Sequence, residues 1–326
     1  MFRIQKGKTI YYVDKNRVKI HNKSQLERIH NMRIPPAWKQ VVISKNKTAK
    51  VQAIGLDAKG RTQFIYSSKH REKSTSDKYK RVGTLGMNLH KIIKSLKTNL
   101  KQPGYKKPKV ISFIIILIFL TSLRIGNDIN RRLYNSYGLT TLQKQHITLG
   151  GTSANLKFVG KKGVENRAII KDKFILGILA NWIKHFKPTK TTPIFQYEND
   201  NNNVYTITAP DVNKFIKTFG PYTAKDFRTF NANVYLIKEL DKIPITTSDI
   251  TTSQVNKNVV QAIKNVAELL NNTPAVCRKE YCYKGIVDDY IAGPSIFKRG
   301  LDILKSDKSC GSGSKYERAA VHYLNK

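Results

Sequence analysis

The chain has 326 residues, enough for two domains, and 40% of them are hydrophobic, which excludes a disordered polycation. Lys and Arg number 59 against 22 Asp and Glu, a net charge of +37 spread along the whole length. A surplus of that size repels itself unless a polyanion shares it, so nucleic acid is the first partner to expect and an anionic membrane a distant second.

The amino-terminal stretch MFRIQKGKTIYY lacks the apolar core and small-residue cleavage site of a signal peptide, so an intracellular protein is expected. Short β-branched or aromatic runs then predict strands at Thr9–Val13, Val41–Ser44, Val51–Gly55 and Gln63–Ser67, with a short helix at Ser24–Asn31 that Pro35 and Pro36 terminate. The turn Asp57–Arg61 makes the last two strands a hairpin, in which Gln63 and Ile65 alternate with Phe64 and Tyr66. A hairpin this thin fits a DNA groove, where Gln63 can reach base edges and Lys59 and Arg61 phosphates. An ordinary half-solvated hairpin explains the pattern about as well.

Lys69–Val82 is dense in charge and reads as a basic linker or surface arm, placing a domain boundary near residue 80. From Val82 the period becomes helical, with Leu85, Met87, Leu89, Ile92, Ile93, Leu96 and Leu100 as its apolar stripe. The run Val110–Leu123 falls short of the roughly 20 residues a bilayer needs and predicts a buried helix delivering Arg124 at its end. Arg124 there either satisfies terminal carbonyls or forms the wall of a site. Leu156–Val159 and Ala168–Ile170 predict a second hairpin with Lys161 and Lys162 at its tip. Helices follow at Lys173–Phe186, Asp211–Phe219, from Lys225 onward and around Pro294–Leu304, with a polar loop at Tyr197–Asn203. Cys310–Ser314 reads as a linker before a helical last dozen residues. Cys277, Cys282 and Cys310 show neither zinc-ligand spacing nor an even disulfide framework, in keeping with a reducing compartment.

One stretch organises the rest. A helical pattern through Val259, Ile263, Val266 and Leu270 is broken by Asn271-Asn272-Thr273-Pro274, after which Arg278, Lys279 and Tyr281 arrive together. Taken alone, Tyr281 is more simply a packed ring beside solvated cations. Arg124, Lys161 and Arg228 change that balance.

At these positions the sequence resembles the small type IB DNA topoisomerases of poxviruses, other large DNA viruses and bacteria. The matching stretches are PPAW (35–38), GLDAKGRTQFIY (55–66), LRIGN (123–127), YGLTTL (137–142), KFVGKKG (157–163), KDFRTF (225–230) and NTPAVCRKEY (272–281), in family order. The resemblance implies an α+β protein, with a small mostly-β DNA-binding domain at residues 1–80. A larger, mainly helical catalytic domain containing a β-hairpin would occupy 81–326. It implies an enzyme that cuts one strand of duplex DNA through a 3′-phosphotyrosyl link to Tyr281, lets the free end swivel, and reseals without ATP, metal or other cofactor. Arg124 and Arg228 would clamp the phosphate, Lys161 would protonate the leaving 5′-oxygen, and Asn272 would donate to a phosphate oxygen. Lys59, Arg61, Gln63, Tyr66 and Lys225 are the expected DNA contacts. Poxvirus enzymes have histidine where this chain has Asn272, while bacterial relatives have asparagine; Phe64 stands where the poxvirus enzymes have tyrosine.

The residue types suit that chemistry. Guanidiniums offer fixed, permanently charged donors to the negative charge that builds on phosphate oxygens. A phenol attacks best where cations favour loss of its proton, and an alkoxide leaves best when protonated. A tyrosine recombinase shares the Arg, Lys, Arg, Tyr set but usually carries His-x-x-Arg where this chain has Lys225-Asp226-Phe227-Arg228. A non-catalytic basic DNA-binding protein leaves the cation-flanked phenol unexplained. The expected partner is double-stranded DNA, bound by a monomer with no membrane involvement. The Lys-, Asn- and Ile-rich composition, with the viral likeness, points to the virion or factory of a large DNA virus.

Overall fold

The computed structural model describes all residues except Lys8, 245–250, 306–308 and 310–312. Part of the Cys310–Ser314 stretch therefore lies outside the described residues. The chain divides into two compact units, Met1–Lys78 and Tyr79–Lys326.

The first unit is an antiparallel sheet built from β1 (Phe2–Lys6), β2 (Thr9–Val13), β3 (Lys39–Ile43), β4 (Val51–Leu56) and β5 (Thr62–Tyr66) in the order β2-β1-β3-β4-β5, with helix α1 (Lys23–Asn31) between β2 and β3. Met1, Ile29, Val41, Ile43 and Ala53 form its core, and Trp38 and Ile65 pack against them. Strand β1 escaped the sequence reading because FRIQK alternates without a strong β-branched signal; its identity comes from pairing with β2, from Phe2 opposite Val13 to Lys6 opposite Thr9. Alternation in β5 is as expected: Ile65 turns to the core, while Phe64 is 46% exposed and lies 6.0 Å from the Tyr66 ring. Val42, Ile54 and Phe64 stand opposite one another across three strands and are all exposed, an apolar row on the outward face.

Helix α2 (Ser68–Lys101) begins in the first unit and continues into the second. It corrects the reading of Lys69–Val82 as a linker. That segment has no apolar face before Tyr79 and Val82, yet it is helical throughout, since Lys, Arg and Glu are good helix formers and Pro is absent from it. Leu85, Leu89, Ile92, Leu96 and Leu100 are buried as expected, but Met87 is 47% exposed, because two residues past Leu85 is the far side of a helix.

The second unit is organised around α3 (Lys107–Thr121), whose residues from Val110 to Ile118 are all buried. Pro108 starts it, and Ser122 ends it in the left-handed conformation. After α4 (Asp128–Tyr134) comes a small antiparallel sheet of β6 (Ile147–Leu149), β7 (Ala154–Val159) and β8 (Glu165–Ile170), followed by α5 (Lys173–Phe186). The polar stretch expected as a loop instead holds a short hairpin of β9 (Gln196–Glu198) and β10 (Val204–Thr206), whose Asn199 side chain accepts from the Asn201 and Asn203 amides to close the turn. Then follow α6 (Ala209–Ile216), α7 (Ala224–Lys242), α8 (Thr252–Leu269), α9 (Pro274–Glu280), α10 (Lys284–Ala292), α11 (Pro294–Leu304) and α12 (Lys315–Asn325). The fold class is α+β, a sheet unit followed by a mainly helical one. Among the described residues no helix is long and apolar enough to cross a membrane.

The two faces of this helical assembly respond differently to truncation. Ile114→Ala, at a fully buried position on α3, is expected to lower the unfolding free energy by about 2–5 kcal/mol. Met87→Ala is expected to change it by less than about 0.5 kcal/mol. Chemical denaturation of the two variants measures both.

Candidate active site

Helix α7 carries Arg228, which is 2% exposed. Its guanidinium donates to the carbonyl of Ser122 at the end of α3 and to the carbonyl of Leu270 at the end of α8. Both acceptors are the electron-rich ends of helices, where a cation is favoured. The guanidinium carbon also lies 5.1 Å from the centre of the Tyr281 ring. Burial, together with the charge of Arg124 nearby, pulls the Arg228 pKa down to about 10, against a partial offset from Tyr281. The group stays protonated at neutral pH. A fall from 12.5 to about 10 corresponds to roughly 3 kcal/mol of electrostatic cost, which an anion brought alongside would offset.

Arg228, and not Arg124, therefore satisfies the end of α3. Arg124 lies on the segment just after it, partly buried. Its main-chain position is set by YGLTT: the Leu139 amide donates to the Arg124 carbonyl at 2.9 Å, and the Thr140 amide and hydroxyl both donate to the Ile125 carbonyl at 2.7 and 2.9 Å. Two glycines permit this approach. Gly126 has φ +93°, and a Cβ on Gly138 would fall 2.4 Å from Gly126 Cα and 2.7 Å from the Arg124 carbonyl oxygen.

Tyr281 ends α9, whose first residue is Pro274 and whose N-cap Thr273 accepts from the Val276 amide. It is 6% exposed. Asn233 of α7 fixes the main chain that carries it, donating to the Tyr281 carbonyl at 2.9 Å and accepting from the Tyr283 amide at 2.7 Å. The Tyr79 hydroxyl donates to the Cys282 carbonyl at 2.9 Å. Successive peptide groups after Tyr281 are thus held by α7 and α2. Sequence reasoning missed Asn231 and Asn233, although two asparagines inside the otherwise apolar FNANVYLI are a signal, since a buried amide in a helix needs partners. Asn231 supplies the counterpart at α3, donating to the Phe119 carbonyl at 2.6 Å and to the Ser122 hydroxyl at 2.9 Å. Arg81 of α2 adds a two-pronged ion pair to Asp226, both bonds 3.0 Å; Asp226 is 2% exposed and also caps the first turn of α7.

Asn272 lies in the break between α8 and α9. Its Nδ2 is buried without a hydrogen-bond partner, and so is Arg228 Nε. Buried donors without a partner are uncommon in a packed interior, and each has room for an acceptor brought to it. Lys161 sits at the exposed β7–β8 turn, which Lys162 (φ +65°) and Gly163 (φ +77°) close. Its side chain makes no hydrogen bond or ion pair among the described residues. The structure thus gathers Arg124, Arg228 and Tyr281, puts Asn272 at the adjoining break, and holds Lys161 on the hairpin.

The expected DNA contacts fall in two places. At the β4–β5 turn Asp57, not singled out from sequence, gathers three of them: its carboxylate accepts from the Lys59 amide at 2.9 Å, from Arg61 Nε at 2.8 Å and from Gln63 Nε2 at 3.0 Å. Its bond with Arg61 holds the Asp57 pKa near 2. Gln63 shares the face of Ile65, whereas Tyr66 lies on the outward side with Phe64. Lys225 is 5.8 Å from the Tyr281 ring centre and 3.5 Å from the Glu280 carboxylate. Among the described residues no cluster of His, Cys, Asp and Glu could hold a metal ion.

This constellation sets two arginines beside a buried tyrosine, and the chain belongs to the type IB DNA topoisomerase family. Residues 67–292 match the family model for the catalytic core of eukaryotic DNA topoisomerase I, and residues 9–57 match that for the N-terminal domain of bacterial DNA topoisomerase IB. Among its relatives is the DNA topoisomerase 1B of Acanthamoeba polyphaga mimivirus, 31% identical over 89% of this chain and 87% of the relative. DNA topoisomerase 1 of rabbit fibroma virus is 22% identical over 80% of each chain. Vaccinia virus (strain Copenhagen) DNA topoisomerase 1B is 21% identical over 80% of this chain and 81% of its own. The protein is therefore an isomerase of the type IB class, and its relatives come from large DNA viruses.

The two-glycine contact behind Arg124 yields a sharp test. Gly138→Ala is expected to lower stability by about 1–3 kcal/mol or more, because backbone atoms and not a flexible side chain must give way. A denaturation midpoint measured on that variant, beside Gly151→Ala where a Cβ meets nothing within 4 Å, checks it.

Proposed function

We propose that the protein relaxes supercoiled DNA by cutting one strand through a 3′-phosphotyrosyl bond to Tyr281, letting the free end swivel, and resealing. The observation that carries this reading is the buried Arg228 guanidinium over the Tyr281 ring, with the charge of Arg124 bearing on it. A phosphodiester entering there meets two guanidiniums, the open Arg228 Nε and the open Asn272 Nδ2. Charge that builds on the non-bridging oxygens in the transition state is met by donors already fixed in place, so little reorganisation is needed. Tyr281 releases its phenolic proton to water, and Oη forms the new bond to phosphorus as the bond to the 5′-oxygen breaks. Lys161 hands its proton to that oxygen and takes it back on resealing. The covalent link conserves the phosphodiester energy, so the cycle needs neither ATP nor a metal ion.

The first unit supplies the grip on the duplex. In this reading the β4–β5 hairpin approaches a groove, with Lys59 and Arg61 near phosphates and Gln63 and Tyr66 near the bases, while Lys225 meets the backbone close to the break. Asp57 orients the hairpin tip and spares part of its charge. Residues 1–80 and 81–326 would act as binding and catalytic domains of a monomer working in the virion or factory of a large DNA virus.

Three outcomes test the reading. The monomer is expected to relax a supercoiled plasmid bearing no special site in the presence of EDTA, and inactivity there would favour a recombinase needing paired sites. Tyr281→Phe is expected to bind duplex DNA normally and to form no covalent complex on a denaturing gel. Relaxation by that variant would remove Tyr281 as the nucleophile. Lys161→Ala is expected to cleave roughly a hundred- to ten-thousand-fold more slowly, and to regain most of that loss when the leaving 5′-oxygen is replaced by sulfur, which departs without a proton.

A further inference from the structure

Asn271, immediately before Asn272, has φ +46°, a left-handed conformation that asparagine tolerates better than most residues. That conformation lets its carboxamide lie along the outer edge of β8. Oδ1 accepts from the Arg167 amide at 3.1 Å, and Nδ2 donates to the Arg167 carbonyl at 3.4 Å. The side chain therefore presents one donor and one acceptor to a single residue, as a neighbouring strand would. Strand β8 is the edge of the β6-β7-β8 sheet, so its outer main-chain groups have no strand partner within that sheet.

The hairpin so held is the one that carries Lys161. Arg167 stands opposite Lys157, Glu165 opposite Val159, and Lys161 lies in the turn just beyond. The β7 side is fastened separately: the Tyr137 amide donates to the Val159 carbonyl at 2.8 Å. At the turn, Asn166 is 1% exposed and fits against Gly160, where a Cβ would come within 2.3 Å of its Nδ2. The hairpin is thus stiff within itself, and its placement depends on what holds its edges. Asn271 joins one edge to the segment that leads through Asn272 to Tyr281.

We infer that Asn271 is a positioning residue that sets the Lys161 hairpin against the Tyr281 segment, so that proton donor and nucleophile address the same phosphodiester. This rests on the proposed role of Lys161 as general acid. The two asparagines of the break then divide the work, Asn271 holding the hairpin and Asn272 directing its open donor toward the phosphate.

The experiment measures single-turnover cleavage by Asn271→Gly, Asn271→Asp and Lys161→Ala on two duplexes, one with the natural 5′-oxygen and one with bridging sulfur. Glycine retains the left-handed backbone without the carboxamide, and aspartate retains side-chain volume but loses the donor to the Arg167 carbonyl. Both Asn271 variants are expected to cleave the oxygen substrate roughly ten- to a hundredfold more slowly, to return close to wild-type rate with sulfur, and to bind DNA unchanged. A residue that merely supported the fold would slow both substrates alike. Equal slowing on the two substrates, or wild-type rates on both, overturns the inference. If Lys161→Ala is itself not restored by sulfur, the general-acid reading falls instead, so the two failures are distinguishable. Should Asn271→Gly fold poorly by its denaturation midpoint, Asn271→Asp decides.

Discussion

A buried cation needs partners, and the site grows out of the ones Arg228 has. Its guanidinium reaches the terminal carbonyls of α3 and α8, which no intrahelical bond can satisfy, and lies against the ring of Tyr281. One side chain thus sets the ends of two helices and the face of the nucleophile candidate relative to one another. The rest of α7 repeats the theme a turn at a time. Asn231 holds the end of α3 again, Asn233 holds the main chain after Tyr281, and Asp226 is held in turn by Arg81 of α2. Because α7 touches every one of these groups, a change of its register would move all of them together.

On the proposed reading the same interaction would prepare the site for an anion. Two carbonyl dipoles and an aromatic face are partial charges, and burial still drives the Arg228 pKa down. A phosphodiester supplies the full negative charge that these neighbours do not. It would relieve the repulsion between Arg228 and Arg124, so binding energy and site assembly are coupled. The net charge of +37 acts at longer range, drawing the duplex in and making association sensitive to salt. On the proposed reading the surface would bring DNA close, and buried Arg228 with partly buried Arg124 would determine where a phosphate rests.

What was legible in the sequence was periodic or chemical. The apolar run of α3, the α5 span Lys173–Phe186 and the break before Pro274 follow from pattern and proline geometry, whereas the Arg, Lys, Arg, Tyr set rests on the family resemblance of the motifs that carry it. What stayed hidden depends on partners distant in the chain. Strand β1 exists through its pairing with β2 and β3, and the basic segment at the start of α2 is helical without an apolar stripe to announce it. Arg124 is the residue that a sequence places at the end of α3, yet a side chain from over a hundred residues later occupies that end. Asp57 likewise gives no sign that it will gather the Lys59 amide and the Arg61 and Gln63 side chains until the β4–β5 turn is formed. Long-range hydrogen bonds to main-chain carbonyls leave no periodic trace, so they are the level at which the sequence falls silent.

The amide at position 272 becomes intelligible on those terms. An imidazole there could take on charge, and in the proposed reaction it would add a third cation beside Arg124 and Arg228. Arg228 already loses proton affinity to burial and to Arg124, so a further positive group would deepen that loss before DNA arrives. A neutral carboxamide offers its N–H to a phosphate oxygen without repelling either guanidinium. It gives up the ability to carry charge or pass a proton, and on the proposed pathway neither is asked of it: Lys161 handles the proton and the arginines the charge. On that pathway the open, buried Asn272 Nδ2 would take its partner from the substrate.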